Sequence, residues 1–396
     1  MESQLITELN KKVFDKVSEI ILGPRDNKDI AKLIDSLIGN YSDFILQEFD
    51  DSIFKDLKTS KAKVKRNIEY SKCVIIKSIR SFLKGNVFDA VNEIERIFKF
   101  FDEKTITTDY TLYRGRVSNN NYLFNREEMF HIPLNKRNLV KNQRFSLSGF
   151  PCLYLGATTL SCWEELERPD YGLTNFVSLK STREFNVLDL SYPDTIKSLK
   201  DIVKISIIIA CSLKAKKEDE FKSEYILPQL ILHRFIKQRN CNKSNCDGIA
   251  YHSISLYNVK ERIFQFQENG PSLELNRYIS YVMPVSDVEN FVTIGKNQYC
   301  TQLVNLFNIS ESISSNIRGF KKSLTNNIIP SSLDKYQSLY QNSCFADIDC
   351  YLEKASMSKL GEDCFSESSY DSIIGGWYIS MQESGFSGEL PITPKS

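Results

Sequence analysis

The chain has 396 residues, 51 Lys and Arg against 50 Asp and Glu, and a formal net charge of +1. Such a balance excludes capture of bulk nucleic acid or of an anionic bilayer by net charge. Hydrophobic residues at 41% and charged residues at 26% exclude disorder along the whole length, and a chain of this size is expected to form two or three domains.

Residues 1–105 read as helical. Leu5, Leu9, Val13, Val17, Ile20 and Ile21 recur at helical spacing, and Gly23-Pro24 closes the stretch. The first residues carry acids where a signal peptide carries bases, so a reducing, cytoplasmic setting with free thiols is expected. Ile30, Leu33, Ile34, Leu37 and Ile38 predict a second helix ended by Gly39-Asn40. A third runs through Val74, Ile75, Ile79, Phe82 and Leu83, and a fourth through Val87, Val91, Ile94, Ile97 and Phe98. The basic run from Lys55 to Arg66 lacks interleaved aromatics. It reads as a solvated helix face or loop in preference to a contact patch for nucleic acid or an acidic partner, and nucleic acid is not expected as a partner.

From 106 to 310, short apolar runs alternate with Gly, Pro and Asn. Thr111–Arg114, Cys152–Gly156, Phe176–Leu179, Asn186–Leu190 and Ile205–Ile209 read as strands, with helical patches at Leu160–Leu166 and Tyr225–Ile236. The longest apolar run, Ile202–Leu213, contains Lys204 and falls short of the roughly 20 residues that span a bilayer. It reads as a buried strand, and no membrane association is expected. The class is α+β, without the regular alternation of a doubly wound sheet. Neither Gly-x-Gly-x-x-Gly nor a P-loop is present. With ten Cys, three His and no repeated ligand spacing, no metal site is expected; Cys241 and Cys246 come nearest.

Residues 311–396 form an extension rich in Ser, Asn and Asp. From 331 onward ten acids face four bases. It reads as a loosely packed or partly disordered tail, or as a shield for basic parts of the chain or a docking segment.

Candidate chemistry lies in the middle segment. Arg114 and Arg116 alternate onto one strand face, with Arg126, Arg137 and Arg144 following. Arginine presents a planar fork that matches phosphate oxygens. A strand ending at Tyr154–Gly156 feeds a turn and then a helix carrying Glu164 and Glu165. Adjacent helical residues point about 100° apart, so at least one of the two acids is left to solvent. A carboxylate facing a cleft stabilises an oxocarbenium-like transition state in glycosidic cleavage, and a neighbouring tyrosine stacks on a flat heteroaromatic ring. Asp247–Ser253 reads as a turn into a strand with Ser253 at its far end.

Several segments in order resemble the RES domain, a bacterial family named for an Arg, a Glu and a Ser. They are Tyr-Arg-Gly-Arg at 113–116, Glu-Met-Phe-His-Ile-Pro at 128–133, Arg144 through Gly156, and Cys-Trp-Glu-Glu at 162–165. Glu-Tyr-Ile-Leu-Pro-Gln at 224–229, Asp-Gly-Ile-Ala-Tyr-His-Ser at 247–253 and Tyr-Cys-Thr-Gln-Leu at 299–303 complete the set. About half the chain is covered; the first hundred residues and the acidic tail are not.

The resemblance implies an ADP-ribosyltransferase-like α+β domain at 106–310; longer members carry an N-terminal helical domain, which fits 1–105, and the acidic extension at 311–396 lies outside the resemblance. It implies an enzyme that cleaves NAD⁺ at the nicotinamide–ribose bond, a glycohydrolase or phosphorylase acting as a toxin or defence effector. NAD⁺ is then a substrate, inorganic phosphate a candidate co-substrate, and no cofactor is required. An antitoxin or other inhibitory partner is implied, and homo-oligomerisation is left open. By resemblance, Arg114 grips the NAD⁺ phosphates and Glu165 holds the nicotinamide ribose, with Glu164 the competing register. Tyr154 lines the nicotinamide pocket and Ser253 stands near the phosphates, assisted by Arg144; Arg116 and Tyr113 complete the expected binding set. A protein or nucleic-acid ADP-ribosyltransferase is a variant of this reading. Two others come from different classes: a HEPN-like ribonuclease using the Arg-x4-His pair Arg126 and His131, and a non-catalytic nucleotide sensor.

Overall fold

The computed structural model describes residues 2–23, 29–119, 122–216, 218–254, 257, 275–286, 289–314 and 344–362. The helices α1 (Glu2–Leu22), α2 (Ile30–Glu48), α3 (Asp51–Asp56), α4 (Lys61–Leu83) and α5 (Val87–Ile94) come first, followed by a 3₁₀ turn at Glu95–Phe100. Asp29 caps α2 by accepting from the backbone N–H groups of Ala31 at 3.0 Å and Lys32 at 3.3 Å.

The second helix does not stop at Gly39-Asn40. Tyr41, Ser42 and Ile45 continue its buried stripe, and the Tyr41 hydroxyl donates to the Ile202 carbonyl at 3.0 Å. An interior glycine costs a helix about 1 kcal/mol, less than burying one large apolar side chain returns, about 1.5–3 kcal/mol. The lysine-rich run spans α3, a turn and the start of α4. Lys61, Lys63, Lys65 and Arg66 are exposed there, while Val64 and Ile68 face inward.

One mixed sheet carries β1 (Asp102–Ile106), β2 (Thr111–Val117), β3 (Cys152–Gly156), β4 (Thr174–Ser181), β5 (Phe185–Leu190) and β6 (Cys246–His252). It continues with β7 (Ile279–Pro284), β10 (Phe307–Ser310), β11 (Ile313–Ser314) and β12 (Met357–Lys359). A separate hairpin is made by β8 (Phe291–Ile294) and β9 (Asn297–Cys300). The sheet order is β1-β5-β6-β7-β3-β2-β4-β10-β12, with β11 beside β4. Only β5 and β6 pair in parallel among the described strands, as an α+β class requires. β2 pairs with β4 along its whole length, but meets β3 at one position, Tyr113 opposite Gly156. The sheet therefore opens between β2 and β3.

The apolar run at 202–213 is a helix, not a strand: α7 spans Leu199–Cys211. Every residue from Ile202 to Cys211 is buried, because α7 packs against α2 and α4 and belongs to the core shared with the sheet. A helix buried on all sides loses its polar stripe and reads like a buried strand. The one charge within Ile202–Cys211, Lys204, meets Asp189 of β5 at 2.6 Å. Thr159–Glu165 forms α6 and Ile226–Asn240 forms α8, both near the expected positions.

The helical segment and the middle segment share one core. Val13, Ile34, Ile75 and Ile94 cluster with Ile205 and Ile209 of α7, Leu230 and Phe235 of α8, and Leu190, Ile249 and Val282 of the sheet. A second cluster gathers Leu112, Leu153, Val177, Ile279 and Met283. A third joins Tyr113, Cys162 and Phe176 to Phe345, Ile348 and Leu352. These last three lie on α10 (Cys344–Lys354), which follows the short α9 (Thr301–Leu306) in the described chain. Thus 344–362 is packed rather than loose: α10 sits on α6 and β4, and β12 adds to β10. The rest of the acidic tail lies outside the described residues.

Two of the three histidines are structural. His131 accepts from the Cys300 N–H at Nε2, 3.0 Å, and its Nδ1 donates to the Ile132 carbonyl at 2.8 Å. His252 accepts from the Tyr192 N–H at Nδ1, 2.8 Å, with Nε2 2.9 Å from the Leu275 carbonyl. Burial pushes each imidazole down to about 4. A histidine whose folded value is depressed contributes stability above the unfolded value of about 6.5, lost as pH falls through the folded value. The expected result is that two of the three histidine ring signals stay neutral in NMR titration at pH 5. A His131 signal titrating near 6.5 contradicts the burial.

Candidate active site

The site is built on the turn from β3 into α6. Gly156 is required there: a Cβ would stand 2.4 Å from Ser161 Oγ and 2.8 Å from Cys162 Sγ. Thr158 and Ser161 then cap each other. Thr158 Oγ1 accepts from the Ser161 N–H at 3.0 Å, and Ser161 Oγ accepts from the Thr158 N–H at 3.2 Å. Gly115 of β2 lets the helix lie close, since a Cβ would come within 3.3 Å of Cys162 and 3.2 Å of Leu166.

The chain leaves α6 through two consecutive left-handed residues, Glu167 at φ 63° and Arg168 at φ 55°. This bend returns Arg168 onto the helix, where its Nε donates to Glu164 Oε2 at 2.8 Å. Glu164 is thus occupied by Arg168, its side chain only 8% exposed. Glu165 turns the other way, toward the sheet.

The Glu165 carboxylate accepts from Ser280 Oγ at 3.4 Å and from the Ser253 hydroxyl. Ser253 lies just past the end of β6, and Ser280 on β7 is registered between Gly156 of β3 and Tyr251 of β6. Arg144, Tyr225 and Tyr251 stand close enough to act on Glu165 electrostatically. The residue as a whole is nevertheless exposed, so the carboxylate is flanked by protein groups yet reached by water. The loss of solvation raises its pKa above the ordinary carboxylate value; Arg144 and the two serine hydroxyls pull it back, and Glu164 adds to the rise.

Arg144 is braced from beneath. Its Nη1 donates to the carbonyls of Cys211 and Leu213 at the end of α7, and its guanidinium lies 5.4 Å from the Tyr225 ring centre. Arg144, Phe145, Tyr251 and His252 line a small pocket against α7. Tyr154 approaches this side too, but its hydroxyl is committed to the Phe145 carbonyl at 2.6 Å. The hydroxyl proton is therefore spent within the fold, while the side chain stays partly exposed.

Arg114 occupies the opening between β2 and β3. Its Nη1 donates to the Tyr154 carbonyl at 3.4 Å, and its buried Nε has no hydrogen-bond partner. Burial, with Arg116 nearby, pushes the guanidinium down to about 10. No carboxylate lies within ion-pair distance of it among the described residues. A buried cation with an unsatisfied donor is costly, and an anion placed beside it would offset that cost.

The structure therefore brings Glu165, Ser253 and Arg144 together, with Tyr154 beside them and Arg114 one strand over. Arg116 lies farther out, its guanidinium 4.3 Å from the Phe124 ring centre and its Nη1 on the Glu128 carbonyl. Tyr113 points into the third cluster, where its hydroxyl meets Glu353 Oε1 at 3.1 Å. Ser280, Tyr225 and Tyr251 join the site without having been selected as site residues. Tyr225 and Tyr251 lie inside segments of the resemblance; Ser280 carries no signal beyond a hydroxyl in an apolar strand.

Arg126 and His131 do not form a catalytic surface pair. Arg126 is buried and donates to the carbonyls of Ser358, Lys359 and Glu362, and His131 has both ring nitrogens engaged. The ribonuclease reading loses its residues to core packing. Among the described residues no group of three or more His, Cys, Asp or Glu could hold a metal ion, and no helix is long and apolar enough to cross a membrane.

Over 273 residues the chain is 32% identical to a protein named "Putative toxin YopC" from Bacillus subtilis (strain 168). The match covers 61% of this chain and 57% of that protein, so the chain spans little more than half the length of that relative. No family model and no solved structure matches the chain.

Proposed function

We propose that this chain is a toxin of the RES type that cleaves NAD⁺ at the nicotinamide–ribose bond. The observation that carries the reading is the meeting of Glu165 and Ser253, 88 positions apart, where water reaches the carboxylate. The toxin name of the relative supports the class of effector, and the RES-like segments, with Arg114 at the β2/β3 opening, support the substrate. An antitoxin that covers the site fits the same reading.

The chemistry follows from the substrate. Nicotinamide leaves as a neutral base from a cationic pyridinium, so its departure needs no general acid. The ribose C1′ gains positive charge, and a fixed anion beside it lowers the barrier. Glu165, steadied by Ser253 and Ser280, supplies that anion. Arg114 takes the pyrophosphate in its free donors, and the aromatic surfaces of Tyr154 and Tyr225 bracket a planar base. Water reaches Glu165, which suits a small acceptor.

Incubation with NAD⁺, in buffer with and without inorganic phosphate, tests the reading. The expected products are free nicotinamide with ADP-ribose, or with its 1″-phosphate when phosphate is the acceptor. Absence of nicotinamide under both conditions overturns the reading; nicotinamide released only alongside a labelled macromolecule makes the chain a transferase.

A further inference from the structure

We propose that Asp349, on α10, is a positioning residue that fixes α6 and through it the carboxylate of Glu165. The proposal rests on the NAD⁺-cleaving reading for its kinetic consequences, but on geometry alone for the positioning. Helix α6 has seven residues, too few to hold its own orientation in water. Its first residue, Thr159, carries one of the backbone N–H groups that a helix cannot satisfy internally. Asp349 Oδ1 accepts that proton at 3.0 Å, from 190 positions further along the chain.

The contact is one of several between the two helices. Thr159 Oγ1 donates to the Phe345 carbonyl at 3.2 Å, and the Trp163 ring lies 5.3 Å from that of Phe345. Helix α10 is itself anchored to the sheet on which the site is built. Ser178 Oγ of β4 donates to the Leu352 carbonyl at 2.9 Å, and Tyr113 of β2 holds Glu353. The path runs from β2 and β4 through α10 to the first turn of α6, and ends at Glu165 in its last turn. Asp349 is 6% exposed. Burying a carboxylate costs solvation, which an acceptor role alone does not require; an Asn in its place offers the same oxygen to Thr159.

The full-length chain with Trp377→Phe leaves Trp163 as the sole tryptophan, a reporter of α6 against α10. Asp349→Ala, Asp349→Ser and Asp349→Asn are compared in this background well below the melting temperature; the two truncations are run together so that misfolding of one leaves the other to decide. Ala or Ser is expected to change Trp163 emission and to lower kcat for nicotinamide release by about 10²-fold, with KM for NAD⁺ within about twofold. The acidic limb of the kcat–pH profile moves to higher pH, because Glu165 slips from Ser253 and Ser280. Asn is expected to keep both kcat and emission near the parent. Unchanged emission in Ala and Ser, or a kcat loss that follows only the folded fraction with the acidic limb unmoved, overturns the proposal. If the parent releases no nicotinamide, the NAD⁺ reading fails by itself, and the Trp163 comparison of Ala with Asn still decides the positioning.

Discussion

Glu165→Gln is expected to lower the rate of nicotinamide release about 10³-fold, on the order of 4 kcal/mol of transition-state stabilisation, without loss of fold. Gln keeps the shape and can still meet Ser253 and Ser280, but offers no charge to C1′. Stability is expected to move the other way. The folded carboxyl is raised above its unfolded value, so Glu165 favours the folded state fully only below about pH 4.3. That contribution is lost as pH rises through the folded value, and at neutral pH the ionised side chain weighs against folding. The Gln variant therefore melts at or above the parent at pH 7, with the gap closing near pH 4. Water at the exposed residue screens part of the effect. Activity of the parent falls with acid at a midpoint above the ordinary carboxylate range, since the anion is the working form. Glu164→Gln is expected to be nearly silent in rate, because Glu164 is held by Arg168. A variant at 164 that is dead beside a live variant at 165 reverses the assignment.

Arg114→Met is expected to raise KM for NAD⁺ about 10²-fold, since charge-assisted hydrogen bonds to an anion are worth about 1.5–3 kcal/mol each. The unliganded protein is expected to melt near the parent temperature. Among the described residues Arg114 makes no ion pair, its Nε is unsatisfied, and Met refills the space. Arg114→Lys is expected to lie between the two, as a point charge without the fork. A melting temperature that drops while KM stays constant makes Arg114 a structural residue.

The four N-terminal helical stripes were legible because each buries one face only. α7 was not, because burial on every side removes the periodicity that separates helix from strand; its inward Lys204 gains a partner only when Asp189 is placed in space. Gly39 was misread as a stop because the penalty of glycine is local while the burial of Tyr41 is tertiary. The choice between Glu164 and Glu165 was beyond periodicity. What separates the two in space is Arg168, whose left-handed backbone brings it back onto the helix and onto Glu164. Ser280 and Asp349 were invisible for the same reason: their roles depend on partners 115 and 190 positions away.

The most direct test of the account is a crystal structure of the Glu165→Gln variant with intact NAD⁺. The account predicts the ribose C1′ against residue 165, between Ser253 and Arg144, with the pyrophosphate on Arg114. A dinucleotide bound elsewhere, or lying at this site with its ribose turned away from residue 165, contradicts it.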